Sequence, residues 1–500
     1  MADQAKLGVH LGFFSKSLKG DPHPLGLVGV DGREELSQLF TYELLLFRAG
    51  DPLTEKNLID LVRDPCVIAL GNHKTDVVHG VLSSIEHVAG ARDEGQYYRA
   101  EMRPTASMLH RGKRSAIYQD TTVPDMVTAI LASYGLTKST DFDIHNDNAK
   151  KSPKHEYIVQ YEESDWDFIQ RWLEHEGFFY WFTHSVDGVG LVIADSNHPA
   201  TPIDDPHAIG YRGESNLDTT KDSIWSFRVR HTRVPTAVTL VDYNYRRPLD
   251  MLISSQPVDK DGFGHVFHYG DHFKETGVGK AWAELRSEEL VARRRVVSGW
   301  TDCARLRVGH TFDLENHYFG EYDKKYLVVS MDHEAGLSTK DSGDDFLKGV
   351  GTERPYRAHF TAIPFDIAYR PARRTHWPRI DGVINAHIEE DTAGDYAQID
   401  DEGRYKVKFP FDVGTKKGLA SSRWIRMAQA YAGSSYGQHF PLHKGAEVLI
   451  AHIDGNPDRP VIVGAVPNPA TPSPVIKGNA TQSVMQTASG IRVEREDLQG

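Results

Sequence analysis

Cysteine is nearly absent: Cys66 and Cys303 are the only two in 500 residues. They cannot build a disulfide framework, and two isolated thiols do not make a zinc site. Such a thiol content suits folding in a reducing compartment. Basic residues are in deficit, 57 Lys and Arg against 70 Asp and Glu, for a formal charge of −13. A dedicated nucleic-acid binder is usually basic, so no nucleic-acid partner is expected. No stretch approaches the ~18 uninterrupted apolar residues of a membrane-spanning helix. The N-terminal MADQAKLGVHLGFFSKSLKG lacks the apolar run and small-residue cleavage site of a secretion signal. The expectation is therefore a chain assembled in the cytoplasm without a signal peptide. Also missing are a G-x-x-x-x-G-K-[ST] phosphate loop and a G-x-S-x-G nucleophile elbow.

What is present is core-forming material, 39% hydrophobic and 10% aromatic, which excludes wholesale disorder. At about 150 residues per domain the length corresponds to roughly three domains. Forty-three Gly and 25 Pro favour many short strands over long helices. Tyr42–Phe47, Cys66–Leu70, Val77–Leu82 and Gln96–Met102 are β-rich runs bounded by turn residues, the pattern of a barrel or sandwich. Three helices are predicted. Pro124 opens one that carries Met126, Val127, Ile130 and Leu131 and closes at Gly135. Ser164 caps a second, with Asp165 and Asp167 in its first turn, Trp166, Ile169, Trp172 and Leu173 as its stripe, and Gly177 as its stop. The third is placed over Val278 to Val297. Further strands are expected at 177–182, 237–243 and 326–330, with Gly- and Asp-rich loops near 185–190, 255–264 and 336–351.

A proline-bearing stretch, 364–379, reads as a linker. Beyond it, 380–467 offers about five strands, the size of a small OB-type barrel. In Tyr405-Lys406-Val407-Lys408-Phe409 the period of two places the apolar set on one face and the lysines on the other. Trp424–Ala430, Val448–Ala451 and Val461–Val466 supply further strands. A Pro-rich spacer begins at Pro467, and the tail from Gly478 to Gly500 is polar and Gly-punctuated.

No set of residues reads as a catalytic site. His265, His268 and His272 lie close in sequence, but Gly262, Gly264 and Gly270 oppose the helix that would align them, and no Glu follows the first His. Glu174-His175-Glu176 reads as a solvated helix end, since consecutive helical residues point about 100° apart. Asp204/Asp205 and Glu389/Glu390 are acidic pairs of the sort that solvate loops. Arg404, Lys406, Lys408, Lys416, Lys417, Arg423 and Arg426, with Tyr405, Phe409 and Trp424 interleaved, would bind a nucleic-acid strand only if both sets shared one face. No catalytic, cofactor-binding or metal-binding residue is assigned, and no cofactor is expected.

Gly403-Arg404-Tyr405-Lys406-Val407-Lys408-Phe409-Pro410-Phe411-Asp412 resembles the GRVKVRFPWD signature of the VgrG family. Trp424-Ile425-Arg426, Ala432-Gly433, Tyr436-Gly437, Pro441, Gly445–Ile450 and Gly455–Pro460 follow in that family's order. Upstream, Leu39–Tyr42, His79-Gly80-Val81, Tyr161–Asp165, Glu176–Tyr180, Phe360-Thr361-Ala362 and Tyr369-Arg370-Pro371 are similar to its hub portion. Thr481-Gln482-Ser483 and Ser489-Gly490 look like the start of its β-helical needle. His268-Tyr269-Gly270 stands where the family often has Tyr-Pro-Gly, and Asn456 replaces its usual Asp.

The resemblance implies a mainly β chain. Residues 1–370 would form a phage-hub-like domain of tandem β-barrels with inserted helices, 380–467 an OB-fold barrel, and 478–500 the truncated start of a needle. It implies the homotrimeric spike of a type VI secretion system or related contractile injection machine, without enzymatic activity. Three chains with two barrels each would present six to a hexameric, Hcp-like inner tube. Baseplate proteins, a PAAR-like tip protein and effectors would be the other partners, and the spike would leave the cell through the apparatus. A phage-tail spike with hydrolase activity and an OB-type carbohydrate- or nucleic-acid-binding protein are the competing readings. The first lacks a hydrolase-sized insert before the tail, and the second leaves the first 370 residues unexplained.

Overall fold

The computed structural model describes residues 11–71, 76–91, 95–148, 152–185, 188–213, 222–336, 356–389, 399–413 and 423–498. Glu390, Lys416, Lys417 and Gly500, and most of the loop expected near 336–351, lie outside the described residues. The chain divides into two compact units. The first comprises 1–111, 123–153 and 165–375; the second comprises 112–122, 154–164 and 376–500.

The first unit is built on a 12-stranded sheet. Six of its strands close a barrel: Lys325–Gly336, Thr311–Glu315, Ala208–Tyr211, Ser223–His231, Arg295–Thr301 and Tyr356–Pro364, the last pairing back onto the first. The other six, Gly12–Ser15, Pro65–Ala69, Val77–Ala91, Gly95–Arg103, Thr41–Arg48 and Gly26–Glu35, continue the sheet from that barrel, joined where Gly26–Glu35 pairs antiparallel with Lys325–Gly336. Alternation decides what each strand buries. Tyr42, Leu44 and Leu46 face inward opposite Tyr98, Ala100 and Met102, all nearly inaccessible.

Among the described residues four α-helices accompany these strands. α1 (Glu55–Leu61) was not expected; Thr54 and Asn57 form a reciprocal capping box at its start. α2 (Val123–Ser133) and α3 (Asp165–Glu176) run as their caps and stripes dictate. α4 (Thr276–Ala292) is shorter than predicted, because Arg295–Thr301 is a strand of the closed barrel. Val296 and Val297 are β-branched, and Val297 is buried at a ladder position opposite Ala362. A separate three-stranded sheet, Leu252–Pro257, Ala237–Asp242 and His265–Tyr269, lays one face on α4. Their common core contains Val238, Leu240, Leu252, Phe273, Trp282, Ala283 and Leu285.

The second unit contains a four-stranded sheet ordered Val407–Lys408, Val383–Ile388, Glu447–His452, Pro460–Ala465. The stretches 405–409 and 424–430 join it more sparsely than their sequence suggested. They pair with each other through one bridge, Tyr405 to Ile425, and the second reaches the sheet through Met427 to Ile462. Alternation still holds, with Tyr405, Val407 and Phe409 buried and Lys406 and Lys408 half-buried on the other side.

The barrel core does not come from residues beyond 380 alone. The antiparallel ribbon Arg114–Thr121 with His155–Glu163 belongs to this unit, and Tyr157 and Val159 sit in one core with Ala386, Ile388, Tyr405, Val407, Phe409, Ile425, Val448, Ile450 and Ile462. Tyr161 packs edge-on against Phe411 at 5.5 Å.

Candidate functional site

Most of the described groups singled out in the sequence have a structural occupation. His265 lies on a strand, and its Nε2 meets Thr239 Oγ1 at 2.8 Å. His268, three positions along, falls on the opposite sheet face, where burial first and the Arg373 charge second depress its pKa. Asp271 is ion-paired with Arg373 at 2.6 Å. The three imidazoles do not converge, and among the described residues no three His, Cys, Asp or Glu side chains are placed to hold a metal ion. Asp204 and Asp205 are exposed.

Glu174-His175-Glu176 is not a solvated helix end. The three are 2%, 3% and 0% exposed, because every residue of α3 except Asp167 is buried. Glu174 Oε2 accepts the backbone N–H groups of Arg374 at 2.8 Å and Thr375 at 2.9 Å, and its Oε1 accepts Thr375 Oγ1 at 2.8 Å. Beyond it, the last carbonyls of α3 are met by two arginines. Arg286 donates to the carbonyls of Glu174 and His175, and Arg370 to that of Gly177. Arg370 is itself paired with Glu288 at 2.6 Å. Cations at a helix C-terminus offset its dipole and satisfy its orphan acceptors. This cluster locks the chain leading out of the first unit to a buried helix.

The described arginines and lysines of the basic stretch are likewise engaged in structure. Arg404 is buried against Asp400, with Nε to Oδ2 at 2.6 Å, and Lys408 reaches Asp412 at 3.2 Å. Arg423 lies over the Tyr157 ring at 5.3 Å. Lys406 Nζ lies 5.3 Å from the Trp424 ring centre, so Trp424 shares the lysine face, while Tyr405 and Phe409 do not. Asp458, in the Gly455–Pro460 motif, accepts the backbone N–H of Val159 at 2.7 Å and fastens the ribbon to the barrel.

One polar cluster was missed. Where Gly26–Glu35 joins the closed barrel, Glu34 is buried with Tyr42, Arg307, His333 and Tyr356. Tyr42 donates its hydroxyl to Glu34 Oε1, and the Val308 N–H reaches Oε2 at 3.3 Å. His333 Nε2 faces the same carboxylate at 3.5 Å. Its Nδ1 lies 2.8 Å from the Tyr356 hydroxyl and 3.4 Å from Arg307 Nη1, which assigns the proton to Nε2. Burial pushes the Glu34 pKa up, but His333 and Arg307 outweigh it and hold the carboxyl well below its usual range. Burial drives neighbouring His184 down to about 3 and His310 to about 4. The signal was available: Glu34 and His333 occupy the buried parity of their strands, with Val30 and with Met331 and Ala335, so each interrupts an apolar series.

The tail is largely uncovered. Gln482–Gln486 and Arg492–Glu496 pair antiparallel around a turn in which Gly490 has φ +90°. Met485, Ile491 and Val493 are all more than half exposed. An isolated two-stranded hairpin is marginal in water.

Comparison with known proteins gives two successive matches along the chain, the first running through the ribbon of the second unit. Residues 33–339 match the phage tail baseplate hub (GPD) family. Residues 396–466 match the type VI secretion system/phage-baseplate injector OB domain. The type VI secretion system spike protein VgrG1b of Pseudomonas aeruginosa is 28% identical over 473 residues, 93% of this chain and 62% of that protein. The actin cross-linking toxin VgrG1 of Vibrio cholerae is 26% identical over 473 residues, 92% of this chain and 42% of its own. The chain thus spans under two thirds of these relatives. The fold matches the E. coli c3393 protein, a component of the type VI secretion system, with a TM-score of 0.64 at 21% identity, covering 91% of this chain and 99% of that one. It also matches the Francisella PdpA-VgrG complex in its half-lidded form, with a TM-score of 0.61 at 9% identity, over 98% of this chain and 83% of that one. The chain belongs to the phage tail baseplate hub (GPD) family.

Proposed function

We propose that this chain is a structural spike of a contractile injection apparatus. It assembles as a homotrimer, docks on the end of a hexameric tube, and is driven with its cargo through a target membrane. The observation that carries this reading is the succession of hub and injector OB matches, 33–339 then 396–466, along one chain. The relatives' printed role as type VI secretion spike proteins supports it, and the complex of PdpA with a related VgrG supports carriage of a further protein. Residues 1–370, apart from the ribbon of 114–121 and 155–163, serve as the hub; that ribbon together with 380–467 serves as the injector barrel, and 478–500 as the start of the needle. The spike is assembled in the cytoplasm and leaves through the apparatus.

The task is mechanical, and the side chains described above suit it: buried charges are neutralised in place and helix ends are bonded. The exposed 482–496 hairpin acquires its missing cover from the same segment of two further copies, as an unpaired edge requires. The tube, the tip protein and the baseplate are the remaining partners. No bond-breaking step is assigned to this chain.

Light scattering on the full chain tests the assembly: a mass of three chains is expected, and a strict monomer at every concentration refutes it. Suspended peptidoglycan tests the absence of hydrolysis: unchanged turbidity is expected. Clearing that one Asp or Glu substitution abolishes would make the chain an enzyme.

A further inference from the structure

The three-stranded sheet that rests on α4 has a second face. Alternation assigns to it Ala237, Thr239, Val241 and Tyr243 on the central strand and its extension. Met251, Ile253, Ser255 and Pro257 flank them on one side, and His265, Phe267 and Tyr269 on the other. The register aligns Ile253, Val241 and Tyr269 in one row, and Ser255, Thr239 and Phe267 in the next. No Asp, Glu, Lys or Arg occupies this face. Leu249 and Phe263 lie in the chain just before the two outer strands, with Arg233 over the Phe263 ring at 5.4 Å.

Tyr243, Leu249, Met251, Ile253, Phe263, Phe267 and Tyr269 are between 44% and 95% exposed. At ~200 Å² per large side chain, that leaves roughly 900 Å² of largely apolar surface in water. The largest such patch on an ordinary monomer is about 300–600 Å². A stable protein–protein contact buries about 800 Å² on each partner. The few polar groups on the face serve each other: Thr239 Oγ1 lies 2.6 Å from Ser255 Oγ and 2.8 Å from His265 Nε2. Covering the face therefore strands none of these three groups.

We infer that this sheet face is a contact between copies of the chain in the hub. The inference rests on the trimer reading and locates part of it. Charge decides the occupant. Every copy carries a formal −13, so a self-contact gains nothing from complementary charge and is favoured where neither surface is charged. A different, basic protein would be drawn to the acidic remainder of the molecule instead. The aromatic and charge-depleted composition is that of a permanent interface.

The test uses the full chain, with Met251 as reporter. In the wild-type trimer, peroxide oxidation of Met251, read by mass spectrometry, is expected to be at least tenfold slower than in the Phe267→Lys/Tyr269→Lys variant. That variant is expected to sediment as a folded monomer, its fold checked by circular dichroism. A wild-type trimer in which Met251 oxidises as fast as free methionine overturns the inference and leaves the trimer standing. So does a folded variant that trimerises at the wild-type midpoint, or one that is monomeric with Met251 still protected. If the variant fails to fold, the wild-type Met251 rate against free methionine decides alone. A wild-type chain monomeric at every concentration removes the trimer reading and this inference together.

Discussion

Replacing Val407 by Asp tests the injector barrel at its centre. Val407 is fully buried between Tyr405 and Phe409 in parity and shares a core with Tyr157, Val159, Val448, Ile450 and Ile462. Removing the valine side chain from that core costs about 2 kcal/mol. An aspartate there has no partner, so it must either ionise in an apolar environment or take up a proton. A pKa raised by about three units corresponds to ~4 kcal/mol at neutral pH. The sum, ~6 kcal/mol, is comparable to the whole stability of an ordinary domain. Val407→Ala carries only the first part and should leave a folded, weakened barrel. Lys406→Gln keeps the core and loses the stacking on Trp424, ~0.5–1 kcal/mol. Urea unfolding and limited proteolysis of the full chain read all three. The expected order is Lys406→Gln close to wild type, Val407→Ala intermediate, and Val407→Asp cleaved within the barrel. A Val407→Asp chain with wild-type protease resistance would show that the register, and the OB assignment built on it, is wrong.

Three further outcomes are expected. Glu174→Ala leaves two backbone N–H donors of Arg374 and Thr375 without their acceptor, so it should cost about 2–5 kcal/mol in urea melts; Glu174→Gln, which keeps one carbonyl acceptor, should lose less. His184 and His310 titrate lower in the folded chain, near 3 and 4, than when unfolded; the unfolded state therefore binds protons first as pH falls below about 6.5, and the first unit should lose stability progressively down to pH 4. A thermal midpoint that is flat over that range, or a His310→Gln variant with unchanged slope, would contradict the placement of these rings. Residues 376–470 expressed alone lack Tyr157 and Val159 and should fail to give a cooperative melt, whereas a fold as stable as the barrel in the full chain would show the ribbon to be dispensable.

Elements with strong local signals were readable in advance. Ser164, the Trp166–Leu173 stripe and Gly177 together define α3, and alternation alone assigns the faces of 405–409. What was illegible depends on chain brought from elsewhere. Glu174 reads as a solvated carboxylate because its acceptors' partners, Arg374 and Thr375, lie 200 residues away. Lys406 reads as a lysine on an open face because Trp424, which lies beside it, comes from a separate stretch of chain. The end of α4 was misplaced because a basic run, Arg293–Arg295, suits a helix terminus, while the strand beginning at Arg295 is set by pairing with Ser223–His231 and Tyr356–Pro364. The Glu34 cluster and α1 were different: parity and a Thr54-x-x-Asn57 cap carried them in the local sequence.

The ribbon of 114–121 and 155–163 has a consequence for biosynthesis. Val159 is translated about 300 residues before Asp458, which holds its N–H. At ~5–20 residues per second, about 15–60 seconds pass before the injector barrel's last strand, Pro460–Ala465, arrives. For that time Tyr157 and Val159 wait without their core, an aggregation-prone interval in which a chaperone would find its substrate. The same threading passes the chain from one unit to the other five times. Recombination at the 364–379 stretch would transplant a barrel without two of its core residues, so a new barrel can be inherited only together with its ribbon.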